Sequence, residues 1–257
     1  MPEKPESKPR KTKPAEKKPS FWKITFNIVG LLAWVGVVTI ACQYAITFGL
    51  YFLLGRETLT TPVWTTVCNA LIYALATFLI IWVPVRFFKK KKLSRTELGL
   101  KDTPTWLDML LAPAGFIVYL IIASILIAIF KNFSFFDVEQ AQELGYNLIN
   151  GFDRVVAFFA LCIVAPIAEE IIFRGWLYAW LRKIIPGKRL SLFLSIFLVS
   201  VLFGLMHGQW NVGVNVFAMS IVLCALREIS GTIYAGILLH IIKNIIAFVL
   251  VYIVGMG

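Results

Sequence analysis

The sequence predicts an all-α fold, a polytopic transmembrane helix bundle of about seven to eight spans. Two observations predict it. Hydrophobic residues make up 59% of the 257 residues and the mean hydropathy is +0.81, whereas soluble domains are roughly 45–50% apolar. The apolar residues are also collected in runs that reach the about 20 residues needed to cross a bilayer. These runs cover about 24–46, 63–83, 106–130, 154–181, 190–207, 212–227 and 232–254.

Two segments leave the number of elements open between seven and eight. The first apolar run continues to Leu54, which is longer than a perpendicular helix needs, so we expect it to tilt or to end in a second short piece. Residues 131–153 are polar enough to form a loop or an interfacial helix. An interfacial helix there would be the eighth element.

The positive charge indicates how the chain lies in the membrane. The net charge is +11, and residues 1–23 hold eight of the basic residues in a Lys/Pro/Glu tract that predicts a disordered tail. Two further basic clusters, within 86–95 and 182–189, follow the second and fourth apolar runs. By the positive-inside rule all three lie on the cytoplasmic side. We therefore expect a cytoplasmic N-terminal tail at 1–23 and a membrane domain at 24–257 in the cell membrane, with membrane lipids rather than nucleic acid as partners.

Three charged residues interrupt the fourth apolar run, in "APIAEEIIFRGWLYAW" at 165–180. Ionisable residues inside a span are costly and usually face a partner or a cavity. Glu170 and Arg174 stand four residues apart and share a helix face, which predicts an ion pair. Glu169 points elsewhere, because neighbouring residues on a helix diverge by about 100°. It is a candidate general base, unless all three charges only clasp the bundle together.

The first of the two histidines, His207, ends the fifth apolar run in "FGLMHGQWN". Phe203 lies four residues before it on the same face, and Asn211 and Asn215 continue that face. An intramembrane histidine is often an interhelical hydrogen bonder. At this position it is also a candidate to share proton transfer with Glu169.

The second histidine, His240, lies in the last run, in "LLHIIKN". Asn244 follows it by four residues, so the two side chains share a helix face. Together they could direct two hydrogen-bond donors at one point, as an oxyanion site requires.

These residues favour a buried hydrolytic site, in which carboxylate and imidazole activate water and imidazole and amide stabilise an oxyanion. A proton-coupled transporter would use similar side chains, and so would a metal site with His and Glu ligands. No inverted repeat is apparent in the sequence, which argues against many transporter folds. The four cysteines, Cys42, Cys68, Cys162 and Cys224, stand singly within apolar runs and indicate small core residues.

Three motifs together resemble a known family. "EEIIFR", "FGLMH" and "HIIKN" look like the E-E-x-x-x-R, F-x-x-x-H and H-x-x-x-N motifs of the CPBP family, which comprises CAAX prenyl proteases and bacteriocin-processing enzymes and is also called the Abi family. The motifs occur in the family's order on successive apolar segments, within a core of about 150–257. They hold Glu169, Glu170, Arg174, Phe203, His207, His240 and Asn244.

The resemblance implies an intramembrane endopeptidase that acts on a peptide or a lipid-modified protein C-terminus. It implies that Glu169 and His207 activate water, that His240 and Asn244 hold the oxyanion, and that Glu170, Arg174 and Phe203 support them. The expected mechanism needs no metal, because the histidines lack H-E-x-x-H spacing and Asn is a poor zinc ligand. If zinc is present, its ligands would be Glu169, His207 and His240. The family also includes scaffold and immunity proteins, so a non-catalytic role is the alternative.

Overall fold

The computed structural model describes residues 20–59, 61–87, 92–101, 103–140 and 151–255. In these residues all regular structure is helical, and seven helices are long and apolar enough to cross a membrane, which confirms the predicted fold class. The helices are α1 Phe21–Leu54, α2 Arg56–Leu59, α3 Pro62–Arg86, α4 Trp106–Phe130, α5 Phe152–Ile184, α6 Lys188–Leu205, α7 Trp210–Ser230 and α8 Tyr234–Val249.

The first apolar run forms one long helix, and a short second helix follows it. Helix α1 runs unbroken for 34 residues to Leu54 and is followed by the four-residue helix α2. At about 1.5 Å per residue, α1 is longer than a hydrocarbon core of about 30 Å. Of the polar segment before α5, residues 131–140 form turns and bends, while 141–150 lie outside the described residues. Most of the predicted tail, residues 1–19, also lies outside them, and α1 begins at Phe21.

The centre of the bundle is α7. In an apolar 18-residue stretch of this helix 61% of the residues are buried, whereas in the other spans the corresponding share is 39% or less. It packs against α4 and α6, and its contact with α6 is close because two glycines face each other there. A Cβ placed on Gly204 would lie 2.8 Å from the backbone oxygen of Gly213. The small residues therefore allow the two backbones to approach, as is typical of membrane helices.

The basic end of the bundle is held by polar contacts between segments that are distant in sequence. Arg182 of α5 binds Glu228 of α7 at 2.7 Å, and Lys183 binds Glu97 of the 92–101 loop at 2.5 Å. Asp108 caps the start of α4 and accepts a hydrogen bond of 2.7 Å from Thr232, between α7 and α8. The loops that follow spans two, four and six thus meet at one end, as alternating spans require.

Helix α5 changes its winding on both sides of the glutamate pair. Residues Ala160–Val164 and Ile171–Leu177 are π-helical, and Ala165–Glu170 between them is α-helical. Pro166 follows the first wide turn, and proline has no N–H to donate to a preceding carbonyl. Short π-helical stretches occur often at functional sites, because they redirect side chains within a continuous helix.

Candidate active site

The buried ion pair of the candidate site is the one that the sequence predicts. Arg174 Nη1 lies 2.9 Å from Glu170 Oε1, and both side chains are 0% exposed. The guanidinium carbon also lies 4.4 Å from the centre of the Phe203 ring, a cation–π contact. Gly236 makes room for the carboxylate, because a Cβ there would lie 3.0 Å from Glu170 Oε2. The pair is therefore enclosed between α5, α6 and α8.

Glu169 points away from this pair, as its helical position predicts. Its Oε1 accepts a hydrogen bond of 2.7 Å from the hydroxyl of Tyr73 on α3. Its Oε2 lies 3.7 Å from His240 Nε2. The Glu169 side chain is 14% exposed, whereas that of Glu170 is wholly buried. Of the two adjacent carboxylates, Glu169 is the one that water or a substrate could reach.

His240 lies between the two glutamates and contacts both. Its Nδ1 is 3.2 Å from Glu170 Oε1, and its Nε2 faces Glu169. An ionised carboxylate can only accept hydrogen bonds, so Nδ1 carries a proton that it donates to Glu170. Nε2 is left to face the more exposed side of the site. The buried pair thereby fixes the orientation of the His240 ring.

His207 lies in the turn after α6 rather than within a helix. The helix ends at Leu205, and Gly208 takes a left-handed conformation with φ of 72°. The His207 Nδ1 is 2.8 Å from the carbonyl oxygen of Phe203. Since a carbonyl only accepts, this nitrogen donates, and Nε2 keeps its lone pair. A histidine bound in this way is able to accept a proton at Nε2.

The ring of Phe203 joins the two histidines. Its centroid is 5.0 Å from that of His207 and 6.0 Å from that of His240, with the rings steeply inclined in both pairs. Phe203 thus contacts both histidines, and His240 in turn lies 3.7 Å from Glu169. No direct hydrogen bond joins Glu169 to His207 among the described residues.

Asn244 has a structural contact of its own. Its Nδ2 donates a hydrogen bond of 2.8 Å to the carbonyl oxygen of Leu161 in the first π-helical stretch. The i to i+5 donor for this carbonyl would be the nitrogen of Pro166, which carries no hydrogen. Asn244 satisfies the carbonyl that the proline leaves open. Its amide has a second N–H, which is the one available to an oxyanion.

The expectation that Asn211 and Asn215 continue the face of His207 is wrong. The chain turns between α6 and α7, which breaks the four-residue spacing. Asn211 donates to the carbonyl oxygen of Gln140, and Asn215 accepts a hydrogen bond of 2.8 Å from Tyr119 on α4. The expected helical continuity fails at Gly208, whose left-handed conformation ends the run.

The sequence gives no pattern that identifies Tyr73 as part of this site. The residue lies near the middle of α3, whose apolar sequence carries no other sign of chemistry. A phenol hydroxyl at the depth of a bilayer centre needs a partner, and this requirement is the signal that could have indicated it. Tyr73 adds a fourth element, α3, to a site built otherwise from α5, α8 and the end of α6.

The described residues contain no group of three or more His, Cys, Asp and Glu side chains placed to hold a metal ion. Glu169, His207 and His240, the ligands of the zinc alternative, do not converge as such a group. His240 already directs one nitrogen at each glutamate. The four cysteines are buried and unbridged, as their positions predict.

One of three comparisons with known proteins matches part of the chain to a family model. Residues 151–246 match the family model described as Rce1-like, type II CAAX prenyl endopeptidase. The matched segment begins just before α5 and ends within α8, so it contains all three motifs and leaves out α1 to α4. Comparison with curated proteins and with solved structures returns no significant match. The resemblance that the motifs indicate is confirmed over this segment.

Proposed function

Because residues 151–246 carry a domain of the CAAX prenyl protease family, we propose that this membrane protein is an intramembrane endopeptidase that cleaves the C-terminal part of a lipid-modified protein. The observation that carries the proposal is the placement of Glu169, which is partly exposed and within 3.7 Å of His240. Its neighbour Glu170 is fully buried and neutralised by Arg174. One carboxylate is thus structural and the other is free for chemistry.

In the proposed reaction a water molecule binds between Glu169 and His207. The carboxylate of Glu169 takes one proton of the water as the water oxygen attacks the peptide carbonyl. The Nε2 lone pair of His207 accepts a hydrogen bond from the other proton and helps to activate the water. The proton then passes to the leaving amine, and the peptide bond breaks into an acid and an amine. The hydroxyl of Tyr73 donates to Oε1 of Glu169, so Oε2 would be the oxygen that receives the proton of the water. No metal is used in this proposal.

The oxyanion would be held by His240 and Asn244. Since His240 Nδ1 donates to Glu170, Nε2 can donate to the oxyanion only when the ring carries both protons. In that form the ring would donate from Nδ1 to Glu170 and from Nε2 to the oxyanion. Asn244 would add its second amide N–H. Preorganised donors of this kind are worth about 10²–10³ in rate each.

The charge distribution supports a cytoplasmic N-terminus in the cell membrane. Arg182 and Lys183 lie at the end of α5 where the loop of Glu97 and the end of α7 also meet. Under the positive-inside rule this end faces the cytoplasm.

The test is cleavage of a lipidated C-terminal peptide by the purified protein. We expect Glu169→Gln to reduce cleavage by about 10²–10⁴-fold while the protein stays folded, because the amide keeps the shape of the side chain but cannot act as a base. The matched control is Glu139→Gln, an exposed glutamate in the 131–140 turns, which should cleave normally. Cleavage that survives Glu169→Gln would refute this role.

A second candidate function is that of a non-catalytic scaffold or immunity protein. It is favoured by the ion pair and the hydrogen bond that the polar side chains of the site make within the protein. Glu170 binds Arg174, and Asn244 binds Leu161, so each contributes to holding the helices together. A scaffold would show no peptide cleavage by folded wild-type protein, and its cellular function would survive Glu169→Gln.

A further inference from the structure

A pocket lies beside the candidate site, between α4, α7 and α8. Its volume is about 360 Å³. Most of its wall is apolar, with Phe116, Ile127, Phe136 and Leu250 among the lining residues. The proposed reaction uses none of these side chains.

The polar part of the pocket consists of hydrogen-bond donors. Tyr119 donates its hydroxyl to Asn215 Oδ1 at 2.8 Å, which leaves the amide N–H groups of Asn215 free to donate. Lys243 also lines the pocket and brings an ammonium group with three donors. The described residues that line the pocket include no acidic side chain. Such a lining suits a ligand that has an apolar body and an anionic, acceptor-only end.

Lys243 links the pocket to the candidate site. It stands three residues after His240 on α8, so the two side chains are neighbours on the helix surface. His240 in turn lies 3.7 Å from Glu169. Among the described residues Lys243 has no hydrogen bond or ion pair of its own. A cation at this depth of a membrane protein is costly and usually marks a partner or a ligand.

We propose that Lys243 binds the free C-terminal carboxylate of the peptide substrate, and that the pocket holds the apolar side chains beside it. The inference rests on the proposed protease function and adds the feature by which a substrate is recognised. A carboxylate would accept hydrogen bonds from Lys243 and Asn215, and its negative charge would balance that of the Lys243 ammonium group. The substrate would then be a chain end rather than an internal segment.

An alternative role for Lys243 is to balance the charge of Glu169. The two roles differ in what they predict. A counter-charge for Glu169 would affect the cleavage of every peptide equally, whereas an anchor for the carboxylate affects only peptides that end in a free acid.

The test uses two lipidated peptides that are identical except for a C-terminal carboxylate or a C-terminal amide. We expect wild-type protein to favour the acid by about tenfold or more in kcat/KM, chiefly through KM, as the loss of one charged hydrogen bond predicts. In Lys243→Gln the acid-to-amide ratio should fall to about one. The control is Lys131→Gln, an exposed lysine at the end of α4, which should keep the wild-type ratio. Equal cleavage of both peptides by wild type, or an unchanged ratio in Lys243→Gln, would overturn the proposal.

A binding measurement separates failure of this proposal from failure of the protease function. Fluorescent versions of the two peptides are titrated onto wild type and Lys243→Gln, and their dissociation constants are compared. If wild type cleaves neither peptide but binds the acid about tenfold more tightly, and Lys243→Gln does not, the protease function fails and the carboxylate site stands. If neither cleavage nor binding distinguishes acid from amide, the carboxylate site is refuted.

Discussion

Tyr73 offers a demanding test of the site, because it lies outside the segment that matches the family model. Its hydroxyl donates a 2.7 Å hydrogen bond to Glu169 Oε1, and Tyr73→Phe removes this donor while it keeps the ring. A hydrogen bond to a charged group contributes about 1.5–3 kcal/mol. Glu169 is 14% exposed, so water can replace part of the interaction, and we take the lower half of that range. At about 1.4 kcal/mol for each factor of ten, kcat should fall roughly ten- to fortyfold.

The assay measures kcat and KM separately with a quenched fluorescent lipopeptide and purified protein in lipid nanodiscs. Thermal unfolding of each variant is measured in the same discs. The matched control is Tyr178→Phe, which removes an equally short hydrogen bond of 2.7 Å from a tyrosine to Glu228 at the basic end of the bundle. Both substitutions delete one hydroxyl that donates to a carboxylate, and only the first deletes it at the site.

Two results would refute the reasoning. If Tyr73→Phe keeps the wild-type kcat, Tyr73 does not orient Glu169 in the reacting state. If Tyr178→Phe lowers kcat as much as Tyr73→Phe does, the loss reflects general loosening of the bundle. A fall in kcat that is confined to Tyr73→Phe, with KM and unfolding temperature close to wild type, would assign α3 to the active site.

Three further predictions concern the stability of the site and its chemistry. Arg174→Met should lower the free energy of unfolding by about 3–5 kcal/mol, because it leaves Glu170 charged and buried without its partner; adding Glu170→Gln should recover much of the loss in denaturant titrations. Gly204→Ala should cost about 1–3 kcal/mol, since its Cβ would meet the Gly213 backbone oxygen at 2.8 Å; Gly36→Ala, with nothing within 4 Å, should be neutral or slightly stabilising in the same titrations. Peptide cleavage should persist when a strong zinc chelator is present, and loss of activity that added Zn²⁺ restores would contradict the metal-independent proposal.

The sequence alone predicted the features that depend on the geometry of a single helix. The seven spans follow from run length, and the Glu170–Arg174 pair follows from four-residue spacing, because both are set by the geometry of a single element. The orientation of Glu169 away from that pair follows in the same way. None of these predictions requires knowledge of which helices are neighbours.

The features that the sequence did not reveal depend on contacts between elements or on backbone changes. Tyr73 is one of eight tyrosines, and only the packing of α3 against α5 selects it. The turn after Leu205 depends on the left-handed conformation of Gly208, whereas the apolar pattern continues through it. The π-helical stretches of α5 leave the apolar pattern unchanged as well, although Pro166 gave a local reason to expect a missing hydrogen bond there.

Under the proposed function, the clasp and the catalytic role would be divided between the two adjacent glutamates. Glu170 and Arg174 are wholly buried, and Glu170 also receives the Nδ1 hydrogen of His240. The clasp therefore fixes the ring whose other nitrogen faces Glu169. Because adjacent helical residues diverge by about 100°, consecutive glutamates place one carboxylate in the clasp and the other at the exposed side. A single glutamate could not serve both places, which is a physical reason for the pair.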